Sequence, residues 1–122
     1  MTADVEDPVT EPPPGNAFPR TCVVRVSGDL DIHHAEEVRF ALRSAIDGAP
    51  PGTEVTIDLT YSSFCDSSGL EALLDARRWA TDSGRTVRLG APSHQILRLM
   101  DLTGTAGLFA TGPAPQDGGP DA

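Results

Sequence analysis

The densest cluster of chemistry-bearing side chains in this 122-residue chain is Asp66-Ser67-Ser68, followed by Gly69 and, two positions on, Glu71. A serine beside a carboxylate can act as a nucleophile, accept a phosphate or cap a helix. Ser68-Gly-Leu-Glu71 fits the capping box S/T-x-x-E, in which the Ser68 hydroxyl accepts from the Glu71 amide and Glu71 reaches back. That reading makes Ser68 structural. It leaves Ser67, just ahead of the cap, with its hydroxyl open to solvent. The S/T-x-x-E spacing is common, so spacing alone leaves both an ordinary capped turn and a functional serine open.

Two other chemistries are weaker. Serine hydrolysis would need one of His33, His34 and His94 with an aspartate, but the G-x-S-x-G elbow is absent and no His–Asp orientation follows from the sequence. A metal site from His33, His34, Cys22 and Cys65 would need adjacent histidines to face one ion, and CxxC or HxxxH spacing is missing. No G-x-x-x-x-G-K phosphate loop is present. The expectation is therefore no catalysis, no metal and no cofactor. Cys22 and Cys65 read as reduced, mostly buried thiols.

The elements that must position this loop alternate between strand and helix. Residues 21–26 are β-rich, and 30–32 form a second short strand. Ala35, Val38, Leu42, Ala45 and Ile46 recur at helical spacing over 34–46, before Gly48-Ala-Pro-Pro. Phe40 falls on the polar face of that helix, where a lone exposed aromatic is usually unremarkable but is also a pointer to a partner surface. Over 54–60, Val55, Ile57 and Leu59 point inward, and Thr56, Asp58 and Thr60 outward. A second helix spans 68–82, a strand 86–89, and a third helix opens at Pro92-Ser93 and runs through Leu102 to a stop at Gly104. Crossover helices imply a mainly parallel sheet. The alternation in 54–60 argues against cover on both faces. The expected fold is thus α/β, with a four-stranded, mainly parallel sheet, helices mostly on one face and the other face lightly covered. The loop at 61–70 follows a strand, where open α/β sheets place their sites.

Nine arginines, no lysine and 18 acids give a net charge of −9. Nucleic-acid binding needs a basic footprint, and none is visible. Residues 1–19 are acidic and Pro-rich, the opposite of a signal peptide. Apolar runs are too short for a membrane span, so the cytoplasm is the expected location. Residues 1–19 and the Gly/Pro-rich 111–122 read as disordered tails around one domain at 20–110.

The stretch Val55-Thr-Ile-Asp-Leu-Thr-Tyr-Ser-Ser-Phe-Cys-Asp-Ser-Ser-Gly-Leu70 closely resembles the signature of STAS-domain anti-sigma factor antagonists. Gly28-Asp-Leu-Asp31 with Ala35-Glu36, Leu97-Arg-Leu-Met-Asp-Leu-Thr-Gly104 and Gly107-Leu-Phe109 are similar to further segments of that family, in the same order. The resemblance spans about residues 22–109. It implies a non-enzymatic switch protein whose unphosphorylated form binds an anti-sigma factor serine kinase and releases a sigma factor. It implies phosphorylation of Ser67, the first serine of D-S-[ST]-G, and reversal by a serine phosphatase. It places Asp31, Asp66, Ser67, Ser68 and Gly69 at the kinase contact. The rival within the same fold is a ligand- or nucleotide-sensing or signalling-assembly module without a kinase partner. Members of the family continue past G-L-F into a last strand and helix. Here a Gly/Pro-rich stretch starts at Ala110, so one sheet or helix surface is expected to be less covered.

Overall fold

Val55, Ile57 and Leu59 share one side of an extended segment, and all three are buried. In the computed structural model, which describes residues 20–115, they lie on β2 (Glu54–Tyr61). It is flanked by β1 (Thr21–Ser27) and β3 (Thr86–Gly90), and β4 (Ala110–Gly112) lies beyond β3. The sheet order is β1-β2-β3-β4, with every neighbouring pair parallel. The register sets Cys22 beside Val55 and Val24 beside Ile57, then Val55 beside Val87 and Ile57 beside Leu89. Inward residues therefore line up across the strands.

Parallel neighbours must be joined by crossovers. Here these are α1 (Ala35–Gly48), α2 (Ser67–Asp82) and α3 (His94–Thr103), the last followed by a 3₁₀ turn at Ala106–Leu108. Leu42 and Ile46 of α1, Leu70 and Leu73 of α2, and Ile96 and Met100 of α3 join the inward strand residues in one hydrophobic cluster. The helices thus cover the same face, as the sequence pattern implied. α3 ends at Gly104, whose φ of 73° is the left-handed conformation that closes a helix. Among the described residues, no helix is long and apolar enough to cross a membrane.

Three expectations need correction. The fourth strand is not 30–32, where Leu30 makes only a single bridge to Cys65. It is Ala110–Gly112, inside the stretch that composition assigned to a tail, with Ala110, Thr111 and Gly112 registered to Arg88, Leu89 and Gly90. A ladder uses backbone groups, so a composition poor in apolar residues hid it. Gly112 also makes room for the Arg88 guanidinium, which would collide with a Cβ there. The domain therefore runs past residue 110, whereas the tail expectations for 1–19 and 116–122 fall outside the described residues.

The third correction concerns the sheet's other face. Thr56 and Asp58, expected to meet water, are only 4% and 2% exposed. Pro115 and the Pro113 carbonyl approach Gly90, as does the Thr56 methyl, so the 113–115 segment covers that face beside Gly90. Asp58 is satisfied locally. Its Oδ2 accepts from Arg25 Nε at 3.0 Å, and its Oδ1 from the Thr60 amide and hydroxyl at 3.1 and 2.6 Å. Burial raises the Asp58 pKa, but the Thr60 hydrogen bonds and the Arg25 charge outweigh it and hold the carboxyl below its ordinary value.

Candidate functional site

The loops that leave β1 and β2 at their carboxyl ends are fastened to each other. The Gly28 amide donates to the Tyr61 carbonyl at 3.0 Å, and the Ser62 hydroxyl returns to the Gly28 carbonyl at 2.7 Å. Gly28 has φ of 85°, a turn conformation that glycine adopts without strain. Further along, the Leu30 amide donates to Phe64 O at 2.9 Å, and the Asp66 amide donates to Leu30 O at 3.0 Å. Residues 28–32 and 61–66 thus form one unit at the end of the sheet.

Asp66, not Ser68, caps α2. Its Oδ1 accepts from the Gly69 amide at 3.0 Å, in the N-cap geometry, and α2 begins at Ser67. Its Oδ2 takes the Ile32 amide at 3.3 Å. A carboxylate placed to serve both loops displaces the capping box expected at Ser68–Glu71. Ser68 instead sits half-buried in the first turn, and Glu71 is exposed.

Asp31 is similarly occupied. Its Oδ1 accepts from the amides of His33 and His34 at 3.1 and 3.2 Å and lies 2.8 Å from His34 Nδ1. Partial desolvation raises its pKa, but the His34 hydrogen bond and charge and the two amides outweigh it and keep the carboxyl below its usual value. The Asp31–His34 pair was missed in the sequence. Its signal was the three-residue spacing that precedes α1.

α3 holds the same unit from the other side. The Gln95 side chain accepts from the Cys65 amide at 2.7 Å and donates to the Cys65 carbonyl at 2.8 Å. Ser93, which caps α3 through the Ile96 amide at 3.2 Å, also donates to Ser63 O at 2.8 Å. Ser93 read only as the start of α3 and Gln95 did not stand out, because a polar side chain at a helix start ordinarily reads as surface. Cys65 is buried, and burial, reinforced by the Asp66 charge, pushes its thiol up to about 12. It stays protonated.

What this frame presents outward is Ser67. It is the first residue of α2 and exposed, and among the described residues its hydroxyl has no hydrogen-bond partner. Asp31, Asp66, Ser67, Ser68 and Gly69 are brought together, since Asp66 joins the Asp31 loop to the start of α2. The structure pairs His34 with Asp31 and not with Ser67, so a nucleophile–base contact is not formed. Among the described residues, no three His, Cys, Asp or Glu side chains gather into a metal-holding group. Ser67 sits where α2 offers backbone amides and a partial positive charge, which suits an anionic phosphoryl group.

Comparison with known proteins converges on one family. The family model described as "Mlab, STAS domain" matches residues 16–110. An anti-sigma F factor antagonist of Lysinibacillus sphaericus is 36% identical over 87 residues, covering 69% of this chain and 71% of its own. An anti-sigma-B factor antagonist of Bacillus subtilis (strain 168) is 28% identical over 81 residues, covering 66% and 72% respectively. The solved structure of the anti-sigma factor antagonist SpoIIAA in its unphosphorylated form is similar with a TM-score of 0.59 at 25% identity, over 80% of this chain and 84% of that one. The Bacillus SpoIIAA structure in the phosphorylated form gives 0.55 at 27% identity, over 80% and 86%.

Proposed function

This chain belongs to the STAS-domain family, and from that premise we propose that it is an anti-sigma factor antagonist switched by phosphorylation of Ser67. The unphosphorylated form binds an anti-sigma factor serine kinase in the cytoplasm and so frees a sigma factor. A serine phosphatase restores that form. The protein is the substrate of both reactions and the catalyst of neither.

One observation carries the proposal: at the start of α2 an exposed serine hydroxyl with no partner among the described residues stands on a loop held rigidly from both sides. Two similar solved chains, SpoIIAA unphosphorylated and phosphorylated, support reading it as a phosphoacceptor. Phosphorylation adds roughly −1.5 to −2 charges at pH 7. The helix start can receive that charge, so the fold tolerates it. A protein surface pressed onto Ser67 does not, because a dianion beside Asp66 loses its water without gaining cations. The switch is therefore a local block on binding. Mass spectrometry after incubation with kinase and ATP tests it. Phosphate on Ser67 is the expected result, and phosphate on Ser68 or on neither overturns the assignment.

A further inference from the structure

We infer that Ile32, Phe64 and Leu97 are the apolar anchors by which this protein seats in an apolar groove of its kinase, an inference that rests on the phosphorylation switch proposed above. Large apolar side chains held at a surface mark interaction sites when they cluster. These three are 67%, 44% and 40% exposed. Phe64 lies on the loop that carries Ser67, and Ile32 and Leu97 come from two other segments bonded to that loop. The Ile32 amide donates to Asp66, the Phe64 carbonyl accepts from Leu30, and Leu97 follows Gln95, whose side chain clasps Cys65.

The two carboxylates of the site are positioning residues. Asp31 Oδ1 receives three short contacts and Asp66 spends both oxygens on amides. These bonds build the loops, and the exposed apolar groups supply the contact area. Charge complementarity describes the occupant further. Residues 28–34 and 61–71 carry four carboxylates, at Asp29, Asp31, Asp66 and Glu71, and no arginine, while on α3 Arg98 follows Leu97. The matching surface is an apolar groove with a basic rim. The rim favours approach, and the dry centre excludes a phosphoryl dianion.

The test measures the affinity of Ile32→Ser, Phe64→Ser and Leu97→Ser, in the full chain, for the purified ADP-loaded kinase that phosphorylates Ser67. Each is expected to bind about tenfold or more weakly, as truncated anchors do. Ile32→Ser is expected to keep the melting temperature. Phe64→Ser and Leu97→Ser, whose side chains are more than half buried, are compared only after circular dichroism shows them folded. Ile32→Gln serves as a second variant at the most exposed of the three positions. Phe40→Ser, which removes an aromatic 74% exposed on α1, is expected to bind like wild type. Unchanged affinity in all three anchor variants, with Ser67 still phosphorylated, overturns the anchor inference and leaves the switch standing. Wild-type protein that is neither bound nor phosphorylated by such kinases overturns the switch itself, and the anchors with it.

Discussion

Gly69 faces the backbone of Leu30 so closely that a Cβ added to it would stand 2.7 Å from both the carbonyl carbon and the Cβ of Leu30. Gly69 is helical, so its value here is its missing side chain and not an unusual φ. It lets the first turn of α2 lie against the β1–α1 loop. Gly69→Ala is expected to force these apart and destabilise the domain by about 1–3 kcal/mol, as overpacking does. Urea denaturation reads the loss, and an unshifted midpoint would show that the two loops are not in rigid contact.

The cap assignment separates two neighbours. Asp66→Ala removes the acceptor for both the Gly69 and Ile32 amides, and is expected to cost about 1–2 kcal/mol. Ser68→Ala is expected to cost less than about 0.5 kcal/mol, since Ser68 does not cap the helix. Thermal unfolding of both variants checks the order, and the reverse order would return the cap to Ser68.

Ser67→Ala is expected to abolish phosphorylation and keep kinase binding, with stability within about 0.5 kcal/mol of wild type, as for other surface changes. Ser67→Asp is expected to bind weakly. Calorimetric titration against the kinase gives both answers, and full-strength binding by Ser67→Asp would count against a charge-based block.

Gln95→Ala leaves the buried Cys65 without partners for its amide and carbonyl. An unmet buried amide costs about 1–3 kcal/mol, so faster amide exchange across residues 63–67 is expected. Wild-type protection there would show that α3 does not hold the loop.

The alternation in 54–60, the three helical periods and the Gly104 stop were all legible, because each follows from side chains within one element. Apart from the local Asp31–His34 pair, what escaped notice depended on pairs distant in sequence. Gln95 meets Cys65, Asp66 meets Ile32, and Gly112 meets Arg88. Ser68 looked like the cap because its spacing to Glu71 was right, but Asp66 caps the helix two residues earlier and serves two loops with a stronger acceptor. Asp58 looked solvated because strand alternation says which side a residue faces, not what later covers that side.

The buried Asp58 makes stability depend on acid. Its folded pKa lies below the unfolded value of about 3.9. Its contribution is therefore fully present above that pH and is lost as pH falls through the lowered folded value. Asp58→Asn is expected to flatten the acid limb of a stability–pH curve measured below about pH 5. An identical acid limb would place the titrating group elsewhere.

β4 is three residues long and is followed directly by Pro113. Among the described residues it is the outermost strand on its side of the sheet, and it occupies the edge of β3 that would otherwise be open. A stub that ends at a residue with no amide hydrogen is a poor template for another chain. The protein therefore resists edge-to-edge polymerisation on that side. Removing residues 110–115 is expected to leave that edge of β3 unpaired and to promote association through it, which light scattering would read.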